Sequence, residues 1–210
     1  KLFTYEDVNF GIGYAYEHVD GDSISHKDDT EAIGPTFMAE YDTLDVASDP
    51  TKGHSWRLNA WMPDLDEWLY RFSYFQPLSV STKWRTYFRA GFAEGDLNRR
   101  THGAYLGAAE ELYSLARNPI EAERMAWTNI AVRKIMSRSA MGVVAGEIFT
   151  SWGYAMDKGW NKIDAPWEAG VAVNFPNNFV DMKLAAMYGS EKFKIGFFMG
   201  IPIWDHYPLP

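Results

Sequence analysis

The chain has no cysteine among its 210 residues. This absence excludes a disulfide scaffold, a thiolate metal site and a cysteine nucleophile. No run of about 18 or more apolar residues occurs, so we expect no helix of this chain to span a bilayer. Positive charge is also scarce, because the formal net charge is −8. A nucleic-acid-binding protein needs a basic surface to neutralise phosphates, so we predict no nucleic-acid partner.

Aromatic residues, in contrast, are abundant, with 9 Trp, 12 Tyr and 13 Phe. Hydrophobic residues make up 47% and charged residues 23% of the sequence, which is typical of a folded protein rather than a disordered one. No internal repeat and no low-complexity linker divides the chain. We therefore predict a single domain over residues 1–210. The first residue is Lys1 rather than Met, as expected if a leader peptide has been removed.

Side-chain character alternates with a period of two along most of the chain, which predicts β-strands with two different faces. In one segment, Trp84 and Phe88 fall on one face, while Arg85 and Arg89 fall on the other. The same alternation occurs in VNFGIGYAYEHVD, AIGPTFMAEYDTL, SWRLNAWM, EWLYRFSYF, WEAGVAVNF, FVDMKLAAMY and KFKIGFFMGIPIW. Short clusters of Gly, Pro, Asn and Asp separate several of these segments, as hairpin turns require.

Residues 103–136 fit two interpretations. Tyr105, Ala109 and Leu112 have helical spacing, and Asn118-Pro119 resembles the start of a helix. The alternation expected of strands is weaker here, although the flanking segments are strand-like on both sides. We therefore favour strands, with a short helical segment within 103–136 as the alternative.

The chemistry of the two strand faces indicates which of them is inside. One face consists mainly of Phe, Ile, Leu, Val and Met, with Trp and Tyr near the strand ends. The other combines Gly and Ala with single charges, whereas the outer face of a soluble sheet usually carries Lys, Glu, Thr and Ser. Small residues with isolated charges are typical of a crowded interior. The pattern therefore predicts that the apolar face points outward.

On these residues the sequence resembles the bacterial outer-membrane β-barrel proteins as a class, without identifying a particular family. The resemblance implies an all-β fold, namely an antiparallel transmembrane β-barrel of about 10–12 strands, even in number. It also implies location in the bacterial outer membrane, with lipid, including lipopolysaccharide, around the barrel. Aromatic residues would form girdles at the two interfaces. The predicted interface aromatics are Trp56, Trp68, Trp84, Trp167, Tyr188 and Trp204.

The charged residues on the other face are predicted to point into the barrel lumen. They are Glu17, Glu40, Asp42, Arg57, Arg71, Arg85, Arg89, Glu147, Asp181 and Lys183. The four arginines would form a ladder opposed by the carboxylates. Such an arrangement either selects small charged solutes or forms a salt-bridged plug that fills a narrow barrel.

We predict no metal site, no cofactor and no catalytic residue. The five histidines are scattered, and the acidic residues between 20 and 31 lack the spacing of a calcium-binding loop. Gly21-Asp22-Ser23 is similar to the nucleophile block of the GDSL hydrolases. However, Asp205 and His206 are adjacent, whereas that family has an Asp and a His three residues apart.

Three hypotheses on function follow. The first is an integral outer-membrane barrel that acts as a narrow channel or as a structural or assembly component of the envelope, with envelope proteins or further copies as partners. The second is a soluble all-β module, similar to a jelly roll or lipocalin, that binds carbohydrate or lipid. The third is an envelope lipid hydrolase. We do not expect an enzyme, since only the Gly-Asp-Ser segment favours one.

Overall fold

A computed structural model describes residues 2–5, 7–19, 30–45, 50–64, 67–78, 81–95, 104–106, 112–115, 120–139, 142–175, 181–190 and 192–200. Fourteen strands occur in these ranges. They are β1 (Leu2–Tyr5), β2 (Val8–Val19), β3 (Thr30–Asp42), β4 (Ser55–Asp64), β5 (Glu67–Pro77), β6 (Trp84–Gly95), β7 (Ala104–Leu106), β8 (Ile120–Ala122), β9 (Arg124–Ser139), β10 (Gly142–Met156), β11 (Lys162–Asp164), β12 (Trp167–Phe175), β13 (Asp181–Gly189) and β14 (Lys192–Gly200). Within the same ranges, no helix reaches the length and hydrophobicity needed to cross a membrane.

Eleven of these strands form one antiparallel meander, in the order β1-β2-β3-β4-β5-β6-β9-β10-β12-β13-β14. The short β11 pairs with the end of β10, and β7 pairs with β8 in a separate two-stranded sheet. Nearly all neighbours in the meander are also neighbours in sequence, as hairpin connections require. The prediction of an all-β antiparallel fold is confirmed. The path of eleven lies within the expected 10–12 strands, although it is not the even number that the resemblance implies.

Residues 103–136 contain both of the structures that the sequence indicated. A three-residue 3-10 helix covers Tyr113–Leu115, between the two short strands β7 and β8. Only β9, which begins at Arg124 and is 16 residues long, joins the large sheet. The preference for strands was therefore correct for β9, but the described part of 107–119 contributes no strand to the large sheet.

The large sheet has two chemically distinct faces, which we call the apolar face and the polar face. Ile148 of β10 lies on the apolar face and is 66% exposed, whereas its neighbour Glu147 lies on the polar face and is 5% exposed. Other large exposed side chains of the apolar face are Ile12, Ile33, Phe37, Phe72, Val171, Leu184, Phe193, Ile195, Phe197 and Met199. The buried clusters lie on the polar face, so this sheet has its core where its charges are.

A glycine on the polar face makes room for a large ring. Gly91 of β6 lies directly opposite Trp127 of β9. A Cβ atom at Gly91 would stand 2.0 Å from Cζ2 of the indole, so only glycine allows the ring to lie flat on the strand. The guanidinium of Arg71 lies 5.0 Å from the centroid of the Trp127 ring, on which it stacks.

Candidate functional site

The carboxylate of Glu147 is a buried charge of the polar face, at 5% exposed. It accepts hydrogen bonds from Nε and Nη2 of Arg133, at 3.1 and 3.0 Å, and from Nζ of Lys183 at 2.5 Å. The side-chain amide of Asn174 donates a further bond of 3.1 Å. A buried carboxylate needs this degree of compensation, because its desolvation costs several kcal/mol. The group links β9, β10, β12 and β13 across the sheet.

The predicted arginines lie on the polar face, but they do not form the continuous ladder that we expected. Arg57 pairs with Glu40 on the neighbouring strand. Arg71 stacks on Trp127, and Arg89 lies 5.2 Å from the ring centroid of Phe75. Strand register explains the difference, because these residues fall in different rows of the sheet.

Arg85 is 4% exposed and donates hydrogen bonds to the carbonyl oxygens of Ser81 and Trp84. Its register partner on β9 is Arg133, so two arginines lie side by side in one row. Like charges on directly opposite residues are destabilising unless a counter-charge is close. Glu147 occupies the next strand of the same row, opposite Arg133. The carboxylate therefore offsets the repulsion within this pair.

A four-residue segment, Leu112 to Leu115, lies against the polar face, and we call it the strap. The carboxylate of Glu168 on β12 accepts the backbone N–H of Tyr113 at 2.8 Å and that of Ser114 at 2.7 Å. Nζ of Lys194 on β14 donates to the carbonyl oxygen of Ser114 at 2.7 Å. These bonds satisfy backbone groups of the short helix that have no partner within it.

Apolar contacts add to the hydrogen bonds of the strap. The ring of Tyr113 packs against Phe149, with centroids 5.1 Å apart, and against Phe198, at 5.0 Å. Nζ of Lys183 lies 3.8 Å from the centroid of the same Tyr113 ring, on the face of which it makes a cation–π contact. Leu112 and Leu115 are 0% and 1% exposed, in a cluster with residues of β6, β9 and β10. The strap thus fills space on the polar face between β6 and β14.

The carboxylate that holds the strap is itself held in place. Oγ of Ser151 on β10 donates to Oε1 of Glu168 at 3.2 Å. The side-chain amide of Asn129 on β9 donates to the same hydroxyl at 2.8 Å. Glu168 and Ser151 are both 0% exposed. This chain of hydrogen bonds orients the carboxylate toward the strap.

A second polar cluster lies on the apolar face, at the end of the sheet where β6 ends and β9 begins. Tyr70 donates to Glu94 at 2.6 Å, and Arg124 pairs with Glu94 at 2.7 Å. The guanidinium of Arg124 also lies 4.4 Å from the Trp160 ring centroid. A cavity of about 40 Å³ beside these residues is lined in addition by Trp68, Gly95, Glu123 and Lys158. It has space for only a few water molecules.

The described members of the predicted interface aromatics lie on the apolar face, near one end or the other of the sheet. Trp84 is 45% exposed, and Trp56 is half-buried at the same end. At the opposite end, Trp167 is 43% and Tyr188 61% exposed, with ring centroids 6.2 Å apart. Trp68, also at that end, stacks on Tyr70 at 4.7 Å. Aromatic side chains therefore mark both ends of the strands.

Several predicted residues, or their side chains alone, lie outside the part of the chain that the structure describes. The side chains of Glu17 and Asp181 lie outside it, although their backbones belong to β2 and β13. Trp204 lies outside the described residues, as do Ser23, Asp205 and His206 of the hydrolase hypothesis. Asp42 is described, and its Oδ1 accepts the backbone N–H of Leu44 at 2.8 Å rather than an arginine.

Sequence reasoning missed Arg133, Glu168 and Lys194, three of the charged residues that organise the polar face. Each follows the two-residue alternation of its strand, on the same side as Asn129, Asn174 and Gly196. The signal was therefore present. Arg133 fell within the segment whose structure was ambiguous. Glu168 and Lys194 follow the alternation of the polar face, but they were not included among the charges predicted to point into the lumen.

In the described part of the chain, no group of three or more His, Asp or Glu side chains is placed to hold a metal ion. No protein-family model matches the sequence. A search of curated proteins also found no match. The function of this chain is therefore inferred from its residues and their geometry.

Proposed function

We propose that this chain is an integral outer-membrane β-barrel whose interior is occluded by side chains and by the strap. The observation that carries the proposal is the inverted burial of the large sheet. Its exposed face is apolar, as with Ile148 and Ile195, whereas its buried face holds charges such as Glu147 and Arg85. Burying charge while exposing apolar area costs free energy in water, but it is the arrangement that a bilayer stabilises.

The lengths and ends of the strands support the same proposal. Most strands of the meander have 9 to 16 residues. A tilted strand needs about 9–11 residues to cross the hydrocarbon region. Aromatic residues such as Trp84 and Trp167 stand near opposite ends, at the depth where ring systems favour the membrane interface.

The burial of the strap favours a sheet that is curled rather than flat. Leu112 and Leu115 are fully buried, although each lies on the polar face of a single sheet. A flat sheet would leave the outer side of such a segment in water. A curled sheet encloses it, and the strap accordingly contacts β12 through Glu168 and β14 through Lys194. Full closure into a barrel would also remove the exposed edges of β1 and β14.

The contents of the polar face favour a plugged barrel over a freely open pore. Glu147, Arg133 and Lys183 form a bonded group, and Tyr113 fills the space between Phe149 and Phe198. We therefore infer that the resting protein passes little solute and serves in the envelope as a structural or gated component.

The alternative of a soluble binding module fits the geometry less well. A jelly roll needs crossovers between two sheets, whereas the strands here follow one another in a meander. A lipocalin-like barrel places its apolar residues inside, around a ligand. Here the largest exposed apolar side chains lie along the whole outer face instead.

Extraction and electrophoresis test the proposal. We expect the folded protein to require detergent for solubility, and to migrate differently before and after boiling, because closed barrels resist unfolding by dodecyl sulfate at room temperature. In planar bilayers we expect the wild type to show rare or no conductance events. A monomer that stays soluble in plain buffer would contradict the proposal.

A further inference from the structure

We propose that the strap is a displaceable plug, held by Glu168, over a passage that prefers small anions. This inference rests on the membrane barrel proposed above, and it adds a mode of regulation and a class of solute. Charge-assisted bonds hold the strap, the sheet orients the carboxylate that receives it, and the charges beside it are mainly positive.

The strap is bound like a ligand. Among the described residues, its hydrogen bonds to the large sheet include the two N–H bonds to Glu168 and the bond from Lys194 to the carbonyl oxygen of Ser114. All three involve a charged side chain on the sheet and a backbone group on the strap. A small number of charge-assisted bonds gives a defined closed position that a single substitution can weaken.

The groups that orient the receiving carboxylate belong to the large sheet and not to the strap. The Glu168 carboxylate is oriented by Ser151, which is in turn oriented by Asn129, and all three belong to the large sheet. Phe149 and Phe198, which hold the Tyr113 ring, also belong to the sheet. Strap and sheet are therefore separate elements that meet at one interface, so displacement of the strap does not require the strands to separate.

The strands beside the strap carry an excess of positive charge on the polar face. In the described part of β6, β9, β10 and β12–β14, the charged side chains of this face that are not exposed comprise five cations and two carboxylates. They are Arg85, Arg89, Arg133, Lys183 and Lys194, against Glu147 and Glu168. On β3–β5 the described charges balance, with Glu40 and Asp42 against Arg57 and Arg71.

Rings of cationic side chains favour anions in a narrow pore, because the local potential attracts anions and repels cations. We expect the solute to be a small anion such as chloride, or one that carries a single carboxylate or phosphate group, because arginine and lysine side chains donate charge-assisted hydrogen bonds to such groups. Displacement of the strap would join this basic region to the space that the strap fills. The passage would then conduct anions in preference to potassium.

The principal test is single-channel recording with Glu168→Gln in planar bilayers bathed in unequal KCl solutions. The amide keeps the shape of the side chain but loses its charge, and it cannot accept both N–H groups equally well. We expect at least about a tenfold rise in the fraction of time that the protein conducts, since each 1.4 kcal/mol lost corresponds to a factor of ten. The zero-current potential should shift toward that of chloride.

Two further variants accompany this test, namely a second way to loosen the strap and a control. Tyr113→Ala removes ring packing from the strap without changing the sheet, and should open the passage even if Glu168→Gln fails to fold. Glu123→Gln is the matched control, because this rim carboxylate accepts the backbone N–H of Lys158 and does not bind the strap. It should behave as the wild type does.

An independent test uses the absence of native cysteine. Ser114 is 4% exposed, and Ser114→Cys places a single thiol on the strap. We expect a water-soluble thiol reagent to label it slowly, and about ten times faster when Glu168→Gln is combined with it. The detergent-solubilised protein is sufficient for this measurement.

The outcomes separate the two proposals. Two results together would overturn the role of Glu168, whatever the location of the protein: equal labelling rates of Ser114→Cys with and without Glu168→Gln, and equal conductance of Glu168→Gln and the wild type. Opening with preference for potassium would overturn the anion preference alone. Failure to insert into bilayers would overturn the proposed function and the passage with it, while faster labelling would still support the attachment of the strap at Glu168.

Discussion

Glu147 and Ile148 are consecutive residues of β10, yet the glutamate is 5% and the isoleucine 66% exposed. A strand turns successive side chains to opposite faces, so this contrast is a property of the whole sheet. In a water-soluble protein the two exposures would be reversed. The proposed membrane location depends on this arrangement, in which the apolar face is exposed and the charged face is buried.

The carboxylate of Glu147 compensates two buried cations, Arg133 and Lys183. We expect Glu147→Gln to lower the free energy of unfolding by about 3–5 kcal/mol, because it leaves uncompensated charge on the buried face. Urea titration of the protein in detergent measures this change. Glu123→Gln, at a half-buried residue outside this group, should cost less than about 1.5 kcal/mol, because the amide oxygen can still accept the N–H of Lys158. Equal effects of the two substitutions would show that the Glu147 group is accessible to water.

Because Gly91 contacts Trp127, we expect alanine to destabilise the protein more at Gly91 than at Gly146. Gly91→Ala would place a methyl group within the indole ring, so the ring and its contact with Arg71 must shift. We expect a loss of about 1–3 kcal/mol in the free energy of unfolding. At Gly146 the nearest atom to an added methyl group is the flexible Met136 Sδ, at 3.9 Å.

Gly146→Ala is therefore the matched control, and we expect it to be neutral or slightly stabilising, since alanine restricts the unfolded chain. Denaturation midpoints of the two variants in the same detergent check the prediction. A Gly91→Ala variant as stable as Gly146→Ala would mean that Trp127 does not lie against β6.

Asp157 lies in the turn after β10, and we expect the stability of this turn to depend on pH. Hydrogen bonds from the side-chain amide of Asn161, at 2.9 Å, and from its backbone N–H, at 2.8 Å, hold the pKa of Asp157 below its usual value. The carboxylate form is the one favoured in the folded turn. Its contribution is therefore complete above the ordinary pKa of an aspartate and is lost as the pH falls through the lowered value.

Titration of the Asp157 carboxyl carbon by NMR measures this shift directly. Asn161→Ala removes the side-chain donor, so the midpoint should rise toward the ordinary value of an aspartate. A midpoint unchanged by Asn161→Ala would show that the turn does not hold the carboxylate in this way.

Local patterns in the sequence were sufficient to predict eight of the eleven strands on the path of the large sheet, whereas β1 and β10 were not among the named segments and β9 lay in an ambiguous region. Alternation such as that around Arg85 and Arg89 depends only on the period of a strand, and the turns between strands have their own residue signature. The same alternation placed Arg57, Arg85 and Lys183 on the polar face. It also placed Trp84 and Trp167 near the strand ends, where the structure has them.

Pairing across strands could not be obtained in the same way. A ladder of Arg57, Arg71, Arg85 and Arg89 requires a register that depends on loop lengths and bulges, and those are not encoded in alternation. The register instead puts Arg85 beside Arg133. The position of the strap could not be predicted from local patterns either. It depends on contacts between Ser114 and residues 54 and 80 positions later in the chain.

The most direct test of the proposed membrane location is to place arginine on the apolar face and on a solvent-exposed strand. Ile148 stands near the middle of β10, and Ile163, which is 50% exposed, lies on the short β11, which pairs with the end of β10. Unfolding of Ile148→Arg and Ile163→Arg is measured in lipid vesicles. If the apolar face contacts lipid, Ile148→Arg loses about 2–4 kcal/mol, and Ile163→Arg less than about 0.5 kcal/mol. Equal stability of both variants with the wild type would contradict a lipid-facing sheet, because an exposed isoleucine in water accepts arginine at little cost.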